Sequence, residues 1–261
     1  MAFFSAARSA PLHAVPDGCR VYAIGDIHGR FDLLLDLQDQ IKADLETSPP
    51  EESVEIFLGD YIDRGPNSRA VLEYLFAGEK LCDRRVCLKG NHEAVLLEVL
   101  SDPGMLPYWC GQGGSATLRS FGVAPPSGGD QRSLVTCHQA LLQALSGGFE
   151  QFLRSLALSE SVGDYFFVHA GIDPRRPMRA QREEDLVWIR EPFLSSGRDF
   201  GFCVVHGHTP CDEVDIRANR IDIDTRAFAS GRLTCLVLES GERRFLQTQD
   251  VAEPEAAVRQ P

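Results

Sequence analysis

The sequence predicts an α/β fold, and two observations carry that reading. In its N-terminal part a short, apolar, β-prone run ends in a polar, glycine-bearing cluster and leads into a helical pattern, and this happens three times. Strands that alternate with helices in this way pair in parallel through crossover helices. Each polar cluster also falls at the carboxyl end of its strand, the edge at which such sheets bind ligands.

The elements follow in order. The first strand, Arg20 to Ile24, stops at Gly25-Asp26-Ile27-His28-Gly29. A helix is predicted over Phe31 to Leu45, because Leu33, Leu34, Leu37, Ile41 and Leu45 recur at helical spacing before Pro49 and Pro50 close the unit. The second strand, Val54 to Leu58, stops at Gly59-Asp60-Tyr61-Ile62-Asp63-Arg64-Gly65-Pro66. The helix Ser68 to Ala77 follows, with Val71, Leu72, Leu75 and Phe76 on its apolar face. The third strand, Arg85 to Leu88, stops at Gly90-Asn91-His92-Glu93, with a helix from about Ala94 to Leu100 behind it.

Residues from about 101 to 161 are rich in Gly and Pro and hold two helical patterns, near Leu134 to Leu145 and Phe149 to Leu158. They read as a helical insertion beside the site. Then Tyr165 to Val168 ends in His169-Ala170-Gly171, and Phe202 to Val205 ends in His206-Gly207-His208-Thr209. Ile221 to Ile223 and Leu233 to Leu238 read as closing strands. The expected organisation is an N-terminal arm over 1–18, one domain over 19–249 and a C-terminal tail over 250–261.

Composition narrows the function classes. With 261 residues, 43% hydrophobic and 25% charged, the chain can bury a large single core. Its net charge of -12 argues against a broad grip on nucleic acid. An anionic substrate stays open, because bound divalent cations invert a local field. The eight cysteines contain no Cys-x-x-Cys pair and read as reduced, buried thiols. No apolar run approaches the roughly 18 residues of a membrane helix, and the start lacks the apolar stretch of a secretory signal. A cytoplasmic monomer with no membrane or nucleic-acid partner is expected.

Five of the seven histidines, His28, His92, His169, His206 and His208, sit at predicted strand ends, as do Asp26, Asp60, Asp63 and Asn91. One such residue alone would be an N-cap or a turn residue. The whole set at one sheet edge is a metal-site pattern. A donor set of carboxylate, imidazole and amide oxygen without thiolate suits Mn²⁺, Fe or Zn²⁺. Two metals about 3.5–4 Å apart clamp a phosphoryl group and activate water for in-line attack, and one carboxylate must bridge them.

Gly25-Asp26-x-His28-Gly29, Gly59-Asp60-x-x-Asp63-Arg64-Gly65, Gly90-Asn91-His92-Glu93, His169-Ala170-Gly171 and Gly207-His208 resemble the signatures of the calcineurin-like metallophosphoesterases. The Asp63-Arg64-Gly65 variant resembles the PPP-type serine/threonine protein phosphatases, above all the small bacterial and phage members. The motifs stand in the family's order and span roughly Arg20 to Leu238. The resemblance implies a calcineurin-like fold, a central β-sandwich flanked by helices. It implies a first metal on Asp26 and His28, a bridging Asp60, and a second metal on Asn91, His169 and His208, with Mn²⁺ the expected ion. His92 would be the general acid, paired with Asp63, and Arg64 would bind phosphate. Leu186-Val187-Trp188-Ile189-Arg190-Glu191 resembles a stretch of the small bacterial members and implies a second phosphate arginine, Arg190; stacking on Trp188 or pairing with Glu191 is the other role open to it. His206 is expected to be structural. Asp222-Ile223-Asp224-Thr225-Arg226 departs from the relatives' Asp-Thr-Gly, and Arg226 is either at the site mouth or a solvated loop residue.

The implied reaction is hydrolysis of phosphoserine or phosphothreonine in a phosphoprotein or phosphopeptide, by direct attack of a metal-bridging hydroxide. One rival is a dinucleoside polyphosphate hydrolase of the same superfamily, against which Asp63-Arg64 speaks. Another is a non-catalytic phospho-ligand binding module, which should have lost ligands that are all present here. Cys211 and Arg217 have the Cys-x5-Arg spacing of cysteine phosphatases, but Asp212, Glu213 and Asp215 lie between them. Such carboxylates repel phosphate and raise the thiol pKa, so the spacing is read as chance.

Overall fold

Strand β1 (Cys19–Ile24) is buried along its whole length because it serves two cores at once. Cys19, Val21 and Ala23 face one, and Tyr22 and Ile24 the other, as the two-residue period of a strand requires. It lies in a computed structural model of the protein that describes residues 13–77, 80–127 and 130–249.

Helix α1 (Phe31–Thr47) follows β1 and buries Leu33, Leu34, Leu37 and Ile41, the stripe that its periodicity predicts. Next come β2 (Glu52–Phe57), α2 (Ser68–Ala77), β3 (Arg84–Cys87) and α3 (Asn91–Ser101). Strands β1, β2 and β3 pair in parallel, with Ala23 opposite Ile56 and Ile56 opposite Val86. Helix α3 begins three residues earlier than expected, so Asn91 and His92 sit in its first turn and not in a loop.

The insertion carries α4 (Leu106–Trp109), a kinked segment (Cys110–Gly114), α5 (Ser115–Ser120), α6 (Gln131–Ala144) and α7 (Phe149–Ser155). The end of the expected insertion range is already strand. There β4 (Ser159–Val162) pairs antiparallel with β5 (Tyr165–Val168), and its polar composition had concealed it. Helix α8 (Glu183–Trp188), β6 (Cys203–His206), β7 (Asp215–Ile216), β8 (Arg220–Asp222), α9 (Ala227–Ser230), β9 (Thr234–Glu239) and β10 (Glu242–Gln247) complete the chain.

The strands form two five-stranded sheets, in the orders β10-β9-β1-β2-β3 and β4-β5-β6-β8-β7. Between the sheets lies an apolar layer to which Val21, Ala23, Val54, Ile56, Leu236 and Leu238 contribute from one side. Tyr165, Phe167, Cys203, Val205 and Ile221 fill it from the other. This is the packing of a β-sandwich. Helices α1 to α7 cover the outer face of the first sheet through Tyr22, Ile24, Phe57 and Val237. Val204, Val168, Leu186 and Phe193 form a smaller cluster on the outer face of the second. The calcineurin-like metallophosphatase fold, a sandwich flanked by helices, is therefore present.

The arm expected over 1–18 lies largely outside the described residues. In its described part, 13–18, Pro16 and Asp17 are exposed, while Val15 is buried between the sheets and its N–H donates to the Ser240 carbonyl at 2.9 Å. The tail expected over 250–261 lies outside the described residues. Among the described residues no helix is long and apolar enough to cross a membrane.

Candidate metal centre

The carboxyl ends of the parallel strands bring their clusters to one place. The loop after β1 delivers Asp26 and His28, the loop after β2 delivers Asp60, Asp63 and Arg64, and the first turn of α3 delivers Asn91 and His92. The ends of β5 and β6 deliver His169 and His208. All of these but Arg64 are buried.

The local backbone is strained in a patterned way. His28, Asp60, Asp63, Arg64 and His208 have φ of 46°, 52°, 73°, 67° and 65°. A non-glycine residue held in such a region costs roughly 1–3 kcal/mol and persists only where its surroundings over-determine it. The loops also approach closely. A Cβ on Gly90 would strike the Asp60 carboxylate, and one on Gly207 would strike that of Asp26, so both motifs need glycine there.

Asp60 stands at the middle, with its two oxygens facing different partners. Oδ2 lies 3.4 Å from His28 Nε2 and 3.9 Å from His92 Nε2. Oδ1 lies 3.4 Å from His169 Nε2. Two groups of donor atoms result, His28/Asp60/His92 and Asp60/His169/His208, each with its atoms within 4.8 Å of one another. Asn91 joins the second group, its Oδ1 being 3.0 Å from His169 Nε2 and 2.9 Å from His208 Nδ1.

Outer partners set the tautomers. His169 Nδ1–H donates to the Leu58 carbonyl at 3.0 Å, and His28 Nδ1–H donates to that of Ile62 at 2.8 Å. Each ring therefore aims the lone pair of Nε2 inward. At His169 that lone pair faces two more acceptors, Asn91 Oδ1 and Asp60 Oδ1. Three acceptors turned toward one another require a cation, and this donor set fits one.

The electrostatics agree. Burial pulls His28 down to about 3, and it also pulls His208 down to about 3, where His169 adds to the effect. Burial likewise lowers His169. These rings are neutral, as metal ligands must be. Burial, with the Asp224 and Asp60 carboxylates nearby, holds Asp26 well above its ordinary range. Burial alone would raise Asp60 too, but in the acid range where it titrates His169, His92, His28 and His208 carry charge around it and hold it low. His92 differs from the other rings. Burial lowers it, but Asp60 and Asp63 outweigh burial and raise its proton affinity.

His92 Nδ1 bonds Asp63 Oδ2 at 2.6 Å. Arg64 donates from Nη1 to His28 Nε2 at 2.8 Å and from Nη2 to His92 Nε2 at 3.1 Å. Its guanidinium also lies 4.9 Å from the centre of the half-exposed Phe228 ring. Arg190 is exposed and donates to the His208 carbonyl at 3.3 Å, while Glu191 accepts from Ser195 instead. Asp26 takes a different place from the other carboxylates: it accepts the His208 N–H at 3.1 Å and belongs to neither tight donor group. His206 points away, bonded to the Gly207 carbonyl and packed on Phe193. Arg226 pairs with Asp212. Burial, with Asp222 and Asp224, pushes the Cys211 thiol up to about 12, which removes it as a nucleophile.

Several residues that the motifs gave no role act in the site. Glu93 accepts the N–H groups of Asp60 and Gly90, each at 2.9 Å, and of Tyr61 at 2.8 Å, tying the second loop to the third. A glutamate three residues after a helix cap is the signal that was present. Trp109 and Thr117 reach Asp63 from the insertion. A tryptophan followed by Gly111, Gly113 and Gly114 was the only hint. Phe228 had none beyond its place two residues after Arg226.

This sandwich, with its donor cluster at the strand ends, defines a class. The calcineurin-like phosphoesterase family matches residues 19–233, and the chain belongs to it. It is thus a phosphoesterase, a hydrolase from a family that works with a dinuclear metal site. Serine/threonine-protein phosphatase 1 of Salmonella typhimurium is 28% identical over 223 residues, covering 82% of this chain and 89% of that one. The asymmetrical bis(5'-nucleosyl)-tetraphosphatase PrpE of Bacillus cereus is 25% identical over 240 residues, covering 82% and 88%. A crystal structure assigned as a diadenosine tetraphosphatase superposes with a TM-score of 0.63 at 21% identity, over 93% of this chain and all of that one. Some relatives are far longer. The chain spans 15% of a Caenorhabditis elegans phosphatase homologue and 14% of serine/threonine-protein phosphatase 5 of Arabidopsis thaliana, at 40% and 37% identity.

Proposed function

We propose that this protein is a dinuclear-metal phosphomonoesterase acting on phosphoserine and phosphothreonine in proteins. The observation that carries the reading is Asp60, whose two carboxylate oxygens face separate histidine groups. Asp26 and His28 would hold one cation, Asn91, His169 and His208 the other, with Asp60 between them and Mn²⁺ as the ion. When bound, the cations supply positive charge for the phosphate oxygens and make water nucleophilic near neutral pH.

The remaining steps belong to the chain's own side chains. Arg64 and Arg190 bind the phosphate oxygens, which suit a planar fork of donors. Arg64 then gives up its bonds to His28 and His92 for the substrate. Asp63 keeps Nδ1–H of His92 in place, and a protonated His92 holds its second proton on Nε2, on the side of Asp60 and Arg64. That proton goes to the departing oxygen. We read the protein as a cytoplasmic monomer.

A second reading, hydrolysis of dinucleoside polyphosphates, is favoured by the similarity to the Bacillus cereus enzyme along most of both chains. Asp63-Arg64 and the similarity to the Salmonella phosphatase support the first. The two are separated by comparing kcat/KM for phosphate release from a phosphoserine peptide with that for cleavage of a diadenosine tetraphosphate, across Mn²⁺, Zn²⁺ and Fe²⁺. A preference of at least about tenfold for the peptide is expected. The reverse preference overturns the protein-phosphatase reading.

A further inference from the structure

The insertion sends one segment, 109–117, onto the turn that carries Asp63 and Arg64. Its centre is Cys110–Gly114, where the non-helical Gly113 kinks the chain between α4 and α5. Gly113, at φ 112°, accepts the Arg64 N–H at 3.2 Å, and a Cβ on it would press on Arg64. A Cβ on Gly114 would enter the Trp109 ring. The segment is therefore shaped to this turn and does not merely lie near it.

From it, two fully buried side chains donate to Asp63. Trp109 Nε1–H reaches Oδ2 at 2.8 Å, and the Thr117 hydroxyl reaches Oδ1 at 2.5 Å. Thr117 Oγ1 also accepts the Asp63 N–H at 2.9 Å. The remaining side-chain bond of the carboxylate goes to His92 Nδ1. Asp63 is fully buried, so no bulk water competes for it. Rotation of a carboxylate about χ2 is soft, and one bond to His92 would leave it free to turn. Donors on both oxygens remove that freedom.

We infer that Trp109 and Thr117 are positioning residues for proton donation by His92. They act through Asp63 and touch no substrate. The inference rests on the proposed role of His92, and the experiment keeps the two apart. Trp109→Phe keeps an aromatic ring against Gly114 and removes the N–H. Thr117→Val keeps the shape and removes the hydroxyl, and Thr117→Ser restores it. Each is assayed on p-nitrophenyl phosphate, whose phenolate leaves without a proton, and on a phosphoserine peptide, whose alkoxide needs one.

Both Trp109→Phe and Thr117→Val should lower kcat on the peptide about tenfold or more while changing the aryl phosphate by less than about threefold. KM should hold on both substrates, and Thr117→Ser should behave like the unaltered chain. An equal loss on both substrates, or no loss, overturns the inference. His92→Asn is the reference: if it lacks the same selectivity, the proposed role of His92 fails instead. A readout free of turnover is the downfield NMR resonance of the His92 Nδ1 proton in metal-free protein, assigned by its loss in His92→Asn. It should shift or broaden in Trp109→Phe and Thr117→Val, and an unmoved resonance also overturns the inference.

Discussion

The two sides of the Asp60 carboxylate are built differently. On the Oδ1 side His169 and His208 converge on Asn91 Oδ1, and His169 Nε2, Asn91 Oδ1 and Asp60 Oδ1 there are all acceptors. On the Oδ2 side His28 and His92 share the guanidinium of Arg64, and His92 is backed by Asp63. The first arrangement can do little but hold a cation. The second already combines a phosphate-type donor, a ring with raised proton affinity and a buried carboxylate behind it. One carboxylate thus joins a holding side to a reacting side, and substitutions should tell them apart.

Asp60→Asn strikes both sides and has the largest expected effect. Metal analysis should fall from about two ions per chain to less than one, and turnover should drop by about 10³-fold or more as several kcal/mol of charge stabilisation are lost. His169→Ala strikes the holding side alone and should leave about one ion. Two ions retained in Asp60→Asn would end the bridging role. His92→Asn strikes the reacting side and should lower kcat by roughly 10²–10⁴-fold. Its metal content should stay at the level of the unaltered chain, and loss of metal would make His92 a ligand.

Arg64→Ala should cost less. Removing a charge-assisted donor to phosphate is worth about 1.5–3 kcal/mol, or roughly 10–100-fold in kcat/KM. Inorganic phosphate, as a product inhibitor, should weaken in parallel. A carboxylate outside both sides gives the smallest effect and calibrates the rest. Asp44 bonds Arg20 at 3.1 Å, Arg244 and the Tyr22 hydroxyl. Burial would raise it, but Arg244, Tyr22 and Arg20 hold it below the ordinary carboxylate range. A depressed folded pKa contributes stability above the unfolded value, near 3.9, and loses it as pH falls through the folded value. Asp44→Asn should therefore lower Tm by about 2–4 °C at pH 7, for a loss of about 1 kcal/mol. The gap should close below about pH 3.9, with activity unchanged at neutral pH. A gap that persists in acid would show that packing, and not charge, sets the loss.

Much of the site was legible because its parts are local. A loop such as Gly59-Asp60-x-x-Asp63-Arg64 carries its own turn glycines, so residue type and backbone need appear together in the chain. The helices α1 and α2 were legible for a similar reason, since each repeats its apolar residues over several turns. Strand β4 and the edge strand β10 were not. Ser159-Glu160-Ser161 and Glu242-Arg243-Arg244 carry no apolar alternation, because each lies at a sheet edge and pairs along one side only, with its hairpin neighbour β5 or β9. Trp109, Thr117 and Phe228 were hidden for a different reason, each acting on a residue that precedes it by 46, 54 and roughly 160 positions.

The sequence by itself determined the parallel α/β rhythm, the strand ends and the side chains that stand on them, because strand period, glycine placement and donor chemistry are properties of short segments. Only the tertiary structure decided which oxygen of Asp60 faces which ring, where Arg64 rests, and that the insertion grips Asp63. Those relations depend on the packing of two sheets and on contacts across long stretches of chain. No local pattern encodes them, and the folded geometry alone brings the partners within bonding distance.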